Sequence, residues 1–221
     1  MNSFEPITNK IINYFVENPF KEELADAKKY FFENAGILDE RSEAFDQRMK
    51  QFYDWYLFTR NLKGFAQTPL ESCFDVRALR LNEEELIQLD KLKLHRHSLF
   101  EFIKVKEDDV YVRDLLNDKK YIVRKSPWIF GFAPKEIFEA RLVPLGETYE
   151  FMKGLCFHPS QAYKYILGEI KILKKTPDLD PDEFILRLCK MRYQMDQYRH
   201  ISPEMIYSNE NKVQFKSRGD Q

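Results

Sequence analysis

Apolar residues recur at helical spacing from the start of the chain. Ile7, Ile11, Tyr14 and Phe15 share one face and predict a helix over 7–17. Asn18-Pro19 reads as a cap with proline in the first turn of a second helix, which runs through Phe31 to Asn34 and stops at Ala35-Gly36. A third helix is expected from Asp39 to Arg60. Its stripe of Phe45, Met49, Phe52, Trp55, Tyr56 and Phe58 is broad and aromatic, which places it centrally. Two capping boxes follow: Thr68-Pro69-Leu70-Glu71 opens a short helix to Leu79, and Asn82-Glu83-Glu84-Glu85 opens one to His97.

The period then shortens. Runs at 99–105, 109–114, 120–124, 137–143 and 148–152 are rich in β-branched and aromatic residues, with turn residues between them. Five short strands with tight turns predict a small antiparallel β-barrel. Helical spacing returns after Pro159, on Tyr165, Ile166, Ile170 and Leu173, and again on Phe184, Leu188, Met191 and Met195. The predicted fold class is α+β. It comprises a helical region over 1–97, the barrel over 98–157, a C-terminal helical pair over 158–208 and a polar tail over 209–221.

Composition sharpens this. Aromatic residues make up 15% of the chain, enough to fill a core and to exclude a wholly disordered protein. No apolar run approaches ~18 residues, so no spanning helix is expected. The N-terminus lacks the basic-then-apolar pattern of a signal peptide. Cys73, Cys156 and Cys189 are odd in number and far apart, which fits reduced thiols and a cytoplasmic location. With 35 basic and 36 acidic residues, and the 98–157 segment evenly balanced, no stretch announces a basic face.

The segment Asp54-Trp55-Tyr56-Leu57-Phe58-Thr59-Arg60-Asn61-Leu62, then Gly64, then Thr68-Pro69-Leu70-Glu71, resembles a family of uncharacterised bacterial proteins related to SEC-C-motif proteins. Leu99-Phe100-Glu101-Phe102, Val112-Arg113-Asp114-Leu115-Leu116 and Ala140-Arg141-Leu142-Val143-Pro144-Leu145-Gly146 resemble that family's strands, so the likeness spans residues 45–157. It implies no activity. The metal-binding tail of some members has no counterpart in Lys216-Ser217-Arg218-Gly219-Asp220-Gln221.

Chemistry is sparse. His95 and His97 fall at a predicted helix end, where they read as partners of the helix dipole. Asp178-Leu179-Asp180-Pro181-Asp182 starts like a calcium loop, but its sixth position is Glu183 and its twelfth Cys189, so it reads as a cap. No metal and no cofactor is expected. Cys156 and His158 would share a strand face and could serve an enzyme, but no third group orients them. Asp54, Trp55, Arg60, Thr68 and Glu71 read as a structural keystone, with Arg60 bridging to Asp54 or Glu71. The candidate binding set is the loop aromatics Trp128, Phe130 and Phe132 with Arg113, Arg124, Lys125 and Arg141. The expected role is a non-catalytic binding module for protein or single-stranded RNA, away from membranes. The alternatives are an adaptor without ligand and an enzyme built on Cys156 and His158.

Overall fold

The structure, a computed structural model, describes residues 3–17, 20–37, 40–75, 79–124 and 132–208. Helices α1 (Glu5–Val16), α2 (Lys21–Ala35), α3 (Phe45–Phe58), α4 (Pro69–Ser72) and α5 (Glu83–Lys93) precede the sheet. Strands β1 (Arg96–Lys106), β2 (Asp109–Asp114), β3 (Lys120–Val123), β4 (Ile137–Leu145), β5 (Thr148–Phe151) and β6 (Cys156–Phe157) follow. Helices α6 (Tyr163–Lys175), α7 (Pro181–Gln197) and α8 (Pro203–Ile206) close the chain. Among the described residues, no helix is long and apolar enough to cross a membrane.

Both capping boxes form. Thr68 Oγ1 accepts from the Glu71 amide while Glu71 accepts from the Thr68 amide, and Asn82 and Glu85 do the same for α5. Helix α3 starts later than its stripe predicts: Ser42 Oγ accepts from the Ala44 amide, and this local turn competes with a helical start at Asp39. Helix α5 ends earlier, and the chain is already extended at Arg96.

The α+β prediction holds, and the five-stranded barrel is present. Strands pair in the order β1-β2-β3-β5-β4, and β4 returns to β1 to close the ring. Four contacts are antiparallel; the β3–β5 contact, Val123 against Tyr149, is parallel, so the barrel is mixed. Short β6 extends the β5 edge of β4.

Alternation along each strand splits the core in two. Phe100, Val112, Tyr121, Phe138, Leu142 and Phe151 fill the barrel. Leu99, Ile137, Val143 and Cys156 point outward and join the helical core, built on Ile11, Phe15, Phe31, Phe52, Leu188 and their neighbours. Helix α3 lies between these worlds. Its apolar side packs on α1 and α2. Its polar positions Gln47, Gln51 and Asp54 grip the backbone of the β5–β6 connection.

Candidate functional site

The outward face of β1–β3 gathers cations around an aromatic ring. In β2 the buried positions are Val110, Val112 and Asp114, so Tyr111 and Arg113 face outward. In β3, Lys120 and Ile122 face outward in turn. Register places Glu101, Arg113 and Lys120 in one row across the three strands and Lys104, Tyr111 and Ile122 in the next. A bulge at Ile103 shifts β1 by one residue and brings Lys104 into line with Tyr111. The Lys104 ammonium sits 5.0 Å from the centre of the Tyr111 ring. Ile122 is 37% exposed, a large apolar side chain among cations. Exposed Arg124 continues the outward side of β3.

Several acids of this balanced segment are drawn off the face, although Asp109 stays on the outward side of β2 with Tyr111 and Arg113. Asp114 is buried and accepts from Ser98 Oγ, the Leu116 amide and Asn117. Asp118 pairs with Lys174 at 2.6 Å. Glu139 is turned toward the helices, where it meets Cys189 of α7. Glu101 stays in the outer rows, buried, holding Arg113 at 2.8 Å and accepting from Tyr163 Oη at 2.8 Å.

Arg113 and Arg124 of the predicted set therefore share one face. Lys125, Trp128 and Phe130 lie outside the described residues. Phe132 is corrected to a packing role: it stacks on Phe102 at 5.1 Å and meets Phe138, Phe151 and Phe157 against the barrel core. Arg141 is corrected from surface cation to buried junction. It is 5% exposed, because its outward side of β4 is the side the helices cover. Tyr111, Ile122, Lys104 and Lys120 were absent from the predicted set. Strict alternation in 109–114 and 120–123 is the signal that places Tyr111, Ile122 and Lys120 opposite the core, whereas Lys104 reaches that side only through the bulge in β1.

The junction under the helices is dense with polar groups. Arg141 donates to Thr59 Oγ1 and lies 5.5 Å from the Phe58 ring. Asp54 accepts from the Gly154 amide at 2.6 Å. Burial lifts the Asp54 carboxyl to about 6, although Arg141 and that amide pull it down. His97, on a strand rather than a helix end, lies 2.5 Å from Asp182 Oδ1 through Nδ1 and 2.9 Å from Glu139 Oε1 through Nε2. Burial pushes the Glu139 carboxyl up, but the bond and charge from His97 win and hold it below the ordinary range. Asp182 is held at about 2 by the same imidazole against its own burial. Arg60 belongs to the helical side: its partner is Glu23 at 3.2 Å, not Asp54 or Glu71.

His95 does act at a helix end, its Nδ1 3.0 Å from Leu92 O and its ring 4.6 Å from Phe58. Burial, aided by the charge on Arg141, depresses it from 6.5 to about 3. The unfolded chain takes a proton near 6.5 that the folded chain refuses. The stability His95 contributes is thus complete above that pH and is lost as pH falls toward 3. His95→Phe should therefore show a smaller fall in urea midpoint between pH 7 and pH 4.5 than the parent. Equal falls would contradict this.

Cys156 and His158 are each 2% exposed and line neither of two cavities among the described residues. The larger, about 470 Å³, opens between Phe58, Thr68, Phe74 and His95; the smaller, about 110 Å³, lies between Asn9, Tyr53 and Met152. A nucleophile without access to substrate does not support the enzyme reading. The chain matches a family of unknown function, DUF7986, over residues 2–185, a span that takes in the whole barrel, the junction and the start of α7. The chain belongs to the DUF7986 family. For this member, no curated protein and no solved structure matches.

Proposed function

We propose that this DUF7986 member is a non-catalytic cytoplasmic binding module that holds single-stranded nucleic acid, RNA foremost, on the outer face of β1–β3. The observation that carries the reading is the row Lys104–Tyr111–Ile122, flanked by Arg113, Lys120 and Arg124. Stacking on a ring gives sequence-tolerant affinity for an unpaired base, and cations spaced along strands track a phosphate chain. A protein partner would be served less well by separated, solvated cations than by a larger apolar patch. Three buried free thiols support a reducing compartment.

Fluorescence anisotropy with a labelled oligouridine of about 12 nucleotides tests this, within the site sizes of such proteins. Binding should weaken as salt rises, by about 0.7 in log affinity per phosphate contact for each tenfold increase. Tyr111→Ala should cost about 1–3 kcal/mol, the worth of one stacked base. Lys120→Glu with Arg124→Glu should flatten the salt slope. Absence of binding at low salt would overturn the reading. That outcome would favour the adaptor without ligand, which is supported by the Arg113–Glu101 pair, a cation already satisfied within the fold.

A further inference from the structure

Two cysteines remote in sequence meet beneath α7. The ligand atoms of Glu139, Cys156 and Cys189 all lie within 4.8 Å of one another. Cys156 stands directly opposite Glu139 in the β4–β6 register, so both project from the same side of the sheet. Cys189 comes down from α7, and its thiol donates to Glu139 Oε2 at 2.6 Å. Two residues beyond Cys156, His158 continues the ladder, its amide donating to Ile137 O, and alternation turns it to the same side. Its ring is buried and Nε2 has no hydrogen-bond partner; the ring nitrogens lie outside the 4.8 Å group of the other three, so the imidazole must move toward them to share an ion. A buried imidazole nitrogen left without a partner is costly unless something occupies it.

We propose that Cys156, Cys189, Glu139 and His158 form a structural zinc site that staples β4 and β6 to α7. The donor set is right for the metal: two soft thiolates, an imidazole and a carboxylate make a four-coordinate site with no position open to substrate. Ordinary zinc–ligand bonds put tetrahedral donors about 3.5–3.8 Å apart, so Cys189 Sγ and Glu139 Oε2, now 2.6 Å apart, must part by about 1 Å to take the ion in place of the shared proton. The surroundings match what metal ligands require. Tyr207 Oη lies 2.9 Å from His158 Nδ1, which fixes the ring and leaves Nε2 for the ion. His97 engages Glu139 Oε1, leaving Oε2 on the side of the thiols. Two thiolates and a carboxylate with zinc leave one negative charge. Arg48, buried and bonded to the carbonyls of Ala35 and Gly36, feels both cysteines and would help to balance it. No single stretch spells this site, because its donors come from β4, β6, the residue after β6, and α7.

The proposal is independent of what binds the sheet face. Elemental analysis of the full chain purified without chelator should find about one zinc per chain, released on unfolding. Cobalt(II) added to the stripped, reduced protein should give thiolate-to-metal charge-transfer absorption. Cys156→Ser and Cys189→Ser should abolish it, and Cys73→Ser should not. Tyr207→Phe should weaken metal affinity about 10–100-fold, as loss of a ligand's outer partner does. The wild-type cobalt spectrum is read without any variant, so a variant that fails to fold does not blunt the test. A folded wild-type chain that shows no thiolate–cobalt band, or that is isolated with a Cys156–Cys189 disulfide, would overturn the proposal.

Discussion

Replacing Arg141 by methionine is expected to destabilise the protein by about 3–5 kcal/mol, the range for removing one partner from a buried charge network. Methionine fills much of the space, so the loss is electrostatic rather than a cavity effect. Arg141 is 5% exposed. It donates to Thr59 and supplies the cation that Asp54, Glu139 and Asp182 all feel. Glu139 keeps its bond to His97 when the guanidinium goes; Asp54 keeps the Gly154 amide and the weaker pull of the His97 charge. Its carboxyl, already raised to about 6 by burial, must then rise further. A carboxyl with a raised folded pKa costs stability as pH climbs from its unfolded value, 3.8, through the folded one. The Arg141→Met loss should therefore be larger at pH 8 than at pH 5. Asp54→Asn in the same chain should recover part of it, because the amide oxygen can still accept from Gly154. Urea denaturation of the two single variants and the double at both pH values gives the coupling directly. A loss under about 1 kcal/mol at pH 8 would place this ion group in the class of weak surface pairs.

Gly154→Ala should cost about 2–5 kcal/mol, summing an overpacking penalty and the loss of a buried hydrogen bond. A methyl at this position would lie 2.6 Å from Asp54 Oδ2, 3.0 Å from the Gln51 Cα and 3.1 Å from the Asp54 Cβ. Two of those three atoms belong to the frame of α3 and cannot swing aside. The connection must lift instead, and lifting it strains four bonds: Gly154 to Asp54, Gln51 to Leu155 O, and Gln47 to Lys153 O and Leu155 O. The need here is for space. Gly64 has the opposite need, with φ of 82° and no atom within 4 Å of an added methyl. Gly64→Ala should lose only about 1 kcal/mol, the conformational cost alone. Thermal unfolding of both variants separates the two effects. Equal losses would mean that the contact with α3 carries no special weight.

Local signals in the sequence predict the local structure well. The alternation of Val110 and Val112 with Tyr111 and Arg113 marks a strand and its two faces. Thr68 with Glu71, and Asn82 with Glu85, mark two helix starts that form as expected. What the sequence hides is what distant segments do to one another. His97 looks like the end of a helix; its partners, Asp182 and Glu139, are supplied by elements far along the chain. Arg141 sits in a strand that alternates like any other, and only the helices laid over β4 make its side a buried one. The parallel β3–β5 contact follows from closing the ring, a condition no single strand carries. Gly154 resembles any glycine in a connection until Asp54 is seen against it.

The doubly buried sheet also settles what could be lifted out of this chain. Strands β1 and β4 serve as the wall of two rooms at once, holding Phe100 and Phe138 on one side and Leu99, Ile137 and Val143 on the other. A fragment cut at 98 and 157 would lose the Arg96–Leu142 and His97–Arg141 pairings that help close the ring, and would leave an oily flank and the Glu139–Arg141 charges open to water. The segment is a unit of topology, and it is expected to need the helical cover to fold. Grafting its cationic strands onto another scaffold would require carrying the helical half along.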